Sequence, residues 1–544
     1  MRHNTRDSQK TGIETPDEQE LRAKIIDLGG YRAAEDALDA LLQASPEDPR
    51  YPTLLSGAVR FGSPFVAAIM RRLDASRPKE LRAFGLGMAH YPQRQEATQA
   101  LVRASGDRRV TDNKRLGAIL VLQYFLDMPP DETFLSTLRE PARAVALLLT
   151  GALSDYSGDV DGICRYLTHF LSQPVDLLYS VVGVLIEAGS REAIEALRLV
   201  ALQPHLDLSL AAIDGLAQIA SHRAIQALSL LAPSLPPEPA YACARALQKL
   251  RLTGITIRPL GQPDEGCRAL VTPIDGRGNR LIWLVAPSEK LEGKATLLCM
   301  LTNDTEGMVE AVGLAKVAAA PLSAFQPQGT LHPHFARRWG AHLVRGTFSR
   351  PEFAPLEVPY LYGLQLAQSA TRLNWTTGTA IPLEYSLLGG VFWSYSEGWS
   401  PRDTRLQITP ESNNDFSSVE SDLLFTPYFE SWYLESAEVS RVAEQIGALD
   451  AGLQEMTDES WKVLLPALIR LAHDEFSSHN RAHYAERLCL MSEWLHLGGH
   501  VQEASITASA ARTLLQSPPE ANLFVLRLVQ KGILVRLGRM RGLD

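Results

Sequence analysis

The residues with the strongest metal-ligating character in this 544-residue chain are His473, Asp474 and Glu475, followed by His479 and His483. On one continuous helix Glu475, His479 and His483 would stand four apart and share a face, a spacing able to hold a zinc ion. His479-Asn480-Arg481-Ala482-His483 carries the two histidines of a zincin helix, but Asn480 stands where the general-base glutamate belongs, and Ser477-Ser478 reads as a helix start that divides the face. Solvated surface histidines are therefore the expectation. His332 and His334 flank Pro333 and read as a turn. Gly276-Arg277-Gly278 has the look of a phosphate-binding loop, yet it joins two strand-like runs and opens no helix, so a hairpin turn is expected. Arg337-Arg338-Trp339 and the set Arg536, Arg539, Arg541 are basic clusters that read as solvated helix faces or helix C-termini. No nucleophile elbow, P-loop or paired-cysteine motif occurs. The sequence thus nominates no catalytic residue, no cofactor and no metal ligand.

A net charge of −9 weighs against a general nucleic-acid binder, which normally shows a basic balance or a basic face. Five scattered cysteines, Cys164, Cys243, Cys267, Cys299 and Cys489, fit buried thiols in a reducing compartment and point to the cytoplasm. The polar stretch 1–14 reads as a disordered lead-in without the apolar core of a signal peptide. The most apolar run, 177–186, is bracketed by Asp176 and Glu187 and falls short of the roughly 20 residues of a membrane span.

The elements that would position any site begin with a repeat. Sliding the chain by 31 residues lays Ser190-Arg191-Glu192-Ala193-Ile194-Glu195-Ala196-Leu197 on Ser221-His222-Arg223-Ala224-Ile225-Gln226-Ala227-Leu228, and further on lays Ala211, Gly215 and Leu216 on Ala242, Ala246 and Leu247. A more degenerate unit precedes these, with Ile163 under Ile194 and Leu185 under Leu216. A period this short, with two helices per unit, requires units to stack, because none can bury its apolar stripe alone. Over residues 157–252 the chain resembles HEAT repeats of the short, phycobilisome-lyase-like type. Their Val-Arg turn is not reproduced: Ser209 and Ala240 stand at the arginine position. The resemblance implies a fold and carries no function with it.

Apolar spacing and proline breaks predict helices over 17–28, 32–44, 51–74, 79–90, 95–104, 113–126 and 141–153, with Asp17 and Asp112 as N-caps. Strand spacing then predicts two hairpins, 268–274 with 280–286 and 295–301 with 308–317, forming a four-stranded antiparallel meander. Leu281, Trp283 and Val285 should share one face, with Trp283 buried against a helix, and Ile282 and Leu284 the other. Helices resume over 419–434, 436–449, 460–473, 481–497, 501–515 and 520–537. Between them, 374–427 reads as an aromatic-rich loop with a mobile tip at 413–418, and its aromatics could also serve as a recognition surface.

The expected architecture is mainly α: a HEAT-like α-solenoid over 15–252, an antiparallel β unit over 253–322 and a C-terminal helical domain over 323–544. The expected role is non-catalytic protein binding by a scaffold, with an unidentified protein partner. One alternative is an enzyme or accessory factor with a small-molecule pocket between the β unit and the C-terminal helices. A second is nucleic-acid binding on a concave helical surface. Because Ala196 and Ala227 should face the core between units, either one changed to Trp is expected to cost roughly 1–3 kcal/mol through overpacking, more than Gln226→Trp. Thermal melts of the three variants check this, and equal melting temperatures would remove the 31-residue register.

Overall fold

The computed structural model describes residues 16–44, 48–128, 134–154, 160–252, 267–287, 294–318, 355–393, 423–449 and 458–540. The chain divides into two compact units, 1–196 and 197–544. The histidines at 332 and 334, the cluster Arg337-Arg338-Trp339, the loop tip 413–418 and Arg541 lie outside the described residues.

The first unit is helical: α1 (Pro16–Gln43), α2 (Tyr51–Val59), α3 (Ser63–Arg72), α4 (Pro78–Ala89), α5 (Arg94–Gly106), α6 (Asp112–Phe125), α7 (Pro141–Ser154), α8 (Val160–Leu171) and α9 (Val175–Ala188). The stretches expected as two helices, 17–28 and 32–44, run together as α1. The helix expected over 51–74 is broken instead, because Gly62 takes φ +66° and turns α2 against α3 by 110°. Asp112 does not cap its own helix. It opens α6, and its Oδ2 accepts from the backbone N–H groups of Arg139 (2.7 Å) and Glu140 (2.9 Å), so it caps the start of α7. The buried Arg115 donates from Nε to the Ser105 carbonyl (2.8 Å) and from its two terminal nitrogens to Thr137 (3.0 and 2.8 Å). No single described helix is long and apolar enough to cross a membrane.

Next come α10 (Arg191–Leu202), α11 (Leu206–Ile219), α12 (His222–Leu231) and α13 (Pro237–Leu252). Helix starts repeat the sequence period: α8, α10 and α12 begin 31 residues apart, and so do α9, α11 and α13. The local chemistry repeats with them. Ser190 Oγ accepts from the Ala193 N–H (3.1 Å) and Ser221 Oγ from the Ala224 N–H (3.2 Å). At the other end of the unit, Gly189 closes α9 in the left-handed conformation and Ala220 closes α11 in the same conformation. Ala196 and Ala227 are buried and Gln226 is exposed.

The sheet comprises β1 (Arg268–Val271), β2 (Asn279–Pro287), β3 (Lys294–Asn303), β4 (Gly307–Ala318) and β5 (Leu356–Val358), in the order β4-β3-β2-β1-β5. Both predicted hairpins form, with Leu284 opposite Ala269 and Leu298. The fifth strand was not expected: three residues are too few to show period-two alternation. Trp283 is buried, and among the described residues its cluster consists of strand residues, Leu281, Val285, Leu297, Cys299 and Val312 among them. Two described helices lie on the opposite face. A Cβ on Gly363 would meet Ala269 Cβ at 2.6 Å, and one on Gly313 would meet Leu388 at 2.0 Å, so α14 (Tyr360–Thr377) and α15 (Leu383–Trp393) seat directly on the Ile282/Leu284 face. Asn374 fixes α14 to β4 with a two-way amide bond to Met308, accepting its N–H (2.8 Å) and donating to its carbonyl (3.0 Å).

The stretch expected as an aromatic loop, 374–427, therefore contains the last turn of α14 and all of α15. The helix expected over 419–434 is absent among its described residues: 423–425 and 427–429 are separate 3₁₀ turns. Pro427 is the reason, since it disfavours helical backbone at the residue before it, and Thr426 is extended at ψ 153°. The remaining helices are α16 (Ala437–Leu449), α17 (Asp458–Glu475), α18 (Ser478–Leu497), α19 (Val501–Gln516) and α20 (Leu523–Met540). Within this second unit Arg198 donates to the Ser386 carbonyl (2.6 Å), which ties α10 to α15.

Two backbone substitutions test these local readings. Ala220→Gly is expected to raise stability by about 1 kcal/mol, by relieving a left-handed residue that carries a Cβ. Gly276→Ala is expected to lower it by about 1–3 kcal/mol, because the new Cβ would stand 2.2 Å from the Ser431 carbonyl oxygen and 2.6 Å from Trp432 Cα, both backbone. Urea unfolding followed by circular dichroism measures both.

Candidate ligand cleft

The two hairpin turns lie side by side. In the first, Asp275 Oδ1 accepts from the backbone N–H groups of Arg277 (2.9 Å) and Asn279 (2.7 Å), while Gly278 supplies φ +87°. In the second, Asn303 reaches across to donate to the Arg277 carbonyl (3.1 Å) and to Asn279 Oδ1 (2.9 Å), and the Asp304 N–H bonds the Gly278 carbonyl (3.1 Å). Gly276-Arg277-Gly278 is thus the hairpin turn expected from its flanking strands. Burial raises the Asp275 carboxyl above its usual range, and the bonds from Asn279 and Arg277 only partly offset that.

Helix α18 clamps both turns through Arg487. Its guanidinium is buried, bonds both oxygens of Asp304 (2.7 Å from Nε and 3.0 Å from Nη2), donates from Nη1 to the Gly276 carbonyl, and stacks over the Tyr484 ring at 4.9 Å. His483 joins the group. Its Nε2 lies 3.2 Å from Asp304 Oδ2 and 3.0 Å from Arg487 Nη2. One nitrogen cannot serve both neighbours, so the Nε2–H tautomer donates to Asp304 and the Nδ1–H tautomer accepts from Arg487. Burial alone would raise the Asp304 carboxyl, but hydrogen bonds from His483 and Arg487 outweigh it and hold the group below its usual range.

This arrangement separates the histidines that the sequence places near one another. Glu475 ends α17, Ser477 caps α18 by accepting from the Asn480 N–H (3.3 Å), and the shared helical face is broken there. His479 faces solvent, His473 is exposed and lies 3.8 Å from Glu520, and only His483 turns inward. Among the described residues no group of three or more His, Cys, Asp or Glu side chains is placed to hold a metal ion. Cys164, Cys243 and Cys299 are buried, and burial raises the Cys243 thiol to about 12 and the Cys299 thiol well above its usual value. Cys489, expected buried, is exposed. Lys531 is shifted down to about 8 by burial, but its ammonium donates to the Leu424 and Phe429 carbonyls (both 2.7 Å) and serves to hold those turns.

Beside the clamp a cleft of about 350 Å³ opens between three elements. Helix α14 lines it with Tyr362, Gln365, Leu366, Ser369, Leu373 and Thr376, a stripe at three- and four-residue spacing. Helix α18 contributes His483, Glu486, Leu490 and Glu493 at the same kind of spacing, and the turn end of the sheet adds Arg280, Thr302, Asn303 and Asp304. Tyr362 and Glu493 are buried and share a hydrogen bond of 3.0 Å. Burial pushes the Tyr362 phenol up; Arg280 pulls it down and Glu493 adds to the rise.

No family model, curated protein or solved structure matches this chain.

Arg280 is the feature that sequence reading missed. It is 3% exposed, and its Nε and Nη2 have no hydrogen-bonding partner. A signal was present: Arg280 stands two residues before Ile282 and four before Leu284, so period two puts it on the same sheet face as those core residues. Flanking a hairpin turn, it looks like an ordinary solvated charge.

Removing the clamp should be costly, since it leaves the half-buried Asp304 with only His483 beside it. Arg487→Met is expected to lose about 2–3 kcal/mol at pH 7, somewhat less than a fully buried pair would. The pH dependence has a defined sign. Asp304 has a folded-state pKa below its unfolded value of 3.8, so its stabilisation is full above that value and is lost as pH falls through the folded pKa. Urea midpoints from pH 7 to pH 2.5 should show the gap between wild type and Asp304→Asn closing below about pH 4. A gap that stays constant with pH would contradict the ion pair.

Proposed function

We propose that this protein binds a small polar molecule in the cleft formed by α14, α18 and the turn end of the sheet, as an accessory or enzymatic factor. The observation that carries this reading is the convergence of polar side chains on a cavity of ligand size. Arg280, Tyr362 and Glu493 are buried in its wall, and His483 and Asp304 are held at its rim by Arg487. Small-molecule sites are concave, largely pre-formed and equipped with a few fixed polar groups, which is the pattern here. Both helical stripes are fixed to the sheet and its turns, α14 through Asn374 and α18 through Arg487 and through Trp494, whose Nε1 donates to the Val271 carbonyl (2.9 Å). The lining is therefore pre-organised. Nucleic-acid binding gains no support from a chain of net charge −9. We place the protein in the cytoplasm, because none of its five cysteines forms a disulfide.

A second reading is favoured by a separate observation. The 31-residue spacing of helix starts from α8 to α13 supports a HEAT-like array acting as a protein-binding scaffold. The two readings are compatible in one chain.

Ligand-observed NMR with a library of small polar fragments tests the cleft. Ser369 is exposed and lines it, so Ser369→Trp should fill the cavity while leaving the core intact. Fragments that bind the wild-type chain and are lost from Ser369→Trp, with the circular dichroism spectrum unchanged, are the expected result. Fragments indifferent to the substitution would overturn the reading.

A further inference from the structure

We infer that one edge of the first unit, formed by the turns 73–77 and 107–111 and the lead-in to α7, docks an acidic protein segment with several aspartates or glutamates close together. This surface is independent of the cleft and of the 31-residue array.

Bonds within the unit gather these three stretches. The Ala75 N–H donates to the Asn113 carbonyl (3.1 Å), Asp112 takes the N–H groups of Arg139 and Glu140, and the Arg139 guanidinium donates to the Arg108 carbonyl. The sequence concentrates positive charge on them. Residues 71–115 hold eleven arginines and lysines against five acids, an excess of six in a chain of net charge −9, so the remaining residues together carry −15. Arg71, Arg72, Arg77 and Lys114 line a depression of about 410 Å³ between the first two turns, together with Asp74 and Glu80.

Pairing within the edge is unequal. Its acids already hold donors: Asp74 takes the Ser76 N–H and hydroxyl (2.9 and 2.8 Å), Asp107 takes the Arg109 N–H (2.8 Å), Glu80 pairs with Arg77 (3.2 Å) and Glu140 with Arg143 (3.3 Å). Arg71 and Arg72 face Glu35 of α1 (2.8 and 2.9 Å). Among the described residues, however, the side chains of Lys79, Arg108, Arg109 and Lys114 have no ion pair or hydrogen bond, and Arg139 gives its guanidinium only to a carbonyl. Lys79, Arg108, Arg109 and Arg139 are exposed, and Lys114 is half-buried in the depression. The cations that remain set up a field that draws a negatively charged partner. Carboxylates on flexible side chains can meet such groups one by one, and pair with arginine through two oxygens. A nucleic acid spaces its phosphates evenly and gains from a long basic track, which a chain carrying −15 outside this stretch does not offer.

Fluorescence anisotropy with the full chain tests this, using fluorescein-labelled decaglutamate and a labelled single-stranded oligonucleotide of equal charge. Decaglutamate is expected to bind saturably at low salt and to weaken as salt rises. Arg109→Glu combined with Lys114→Glu should lower its affinity roughly tenfold or more, because two attractions become repulsions. Lys114 stands in the first turn of α6, where a glutamate suits the helix dipole, so the fold should survive. If it does not, Arg109→Gln with Lys114→Gln decides, with a loss of roughly threefold or more expected. Arg470→Glu with Arg512→Glu, both exposed in the second unit, changes the net charge equally and should lower affinity by about twofold at most. Absence of saturable decaglutamate binding, an equal loss in the two charge-reversed proteins, or tighter binding of the oligonucleotide would each overturn the proposal.

Discussion

The second unit depends on one buried guanidinium. Arg487 saturates Asp304, takes the carbonyl of Gly276, and so fastens both hairpin turns to one turn of α18. A buried ion pair of this kind gives modest net stability, because desolvation of both charges offsets most of the attraction. Its effect is on position. With both turns fixed to α18, and β4 fixed to α14 by Asn374, two helical stripes are held apart across the end of the sheet, and the space between them is the cleft.

The same unit shows how buried polar groups are distributed between structure and function. Trp494 and Trp432 donate their indole N–H groups to the carbonyls of Val271 and Ile274, and Lys531 gathers two carbonyls from the 3₁₀ turns. These groups are completed by the fold, and each joins segments remote in sequence. Arg280 is one departure, with Gln368 Nε2 another: the Nε and Nη2 of Arg280 are buried without a partner, and the residue stands in the lining of the cavity.

What the sequence by itself determined is what forms within about 30 residues of chain. The 31-residue period reappears in helix starts, in the Ser190 and Ser221 caps and in the left-handed closures at Gly189 and Ala220, because capping and turn chemistry act over three or four residues. The hairpins at 275–279 and 303–307 were legible for the same reason, as was the helix start at Ser477 that splits the histidine cluster. Only the tertiary structure decided the rest. Asp112 looked like a cap for α6 and instead caps α7, β5 is too short to carry a pattern, and α15 lay hidden in an aromatic stretch. His483 read as a solvated surface histidine and Arg487 carried no local signal, yet both meet Asp304 about 180 residues away. Alternation placed Arg280 on the core face, but nothing local said that its partners would be lacking. Periodicity and propensity record what a residue needs from its neighbours in sequence; the acceptor that a buried charge finds, or fails to find, is set by which distant segments packing brings beside it.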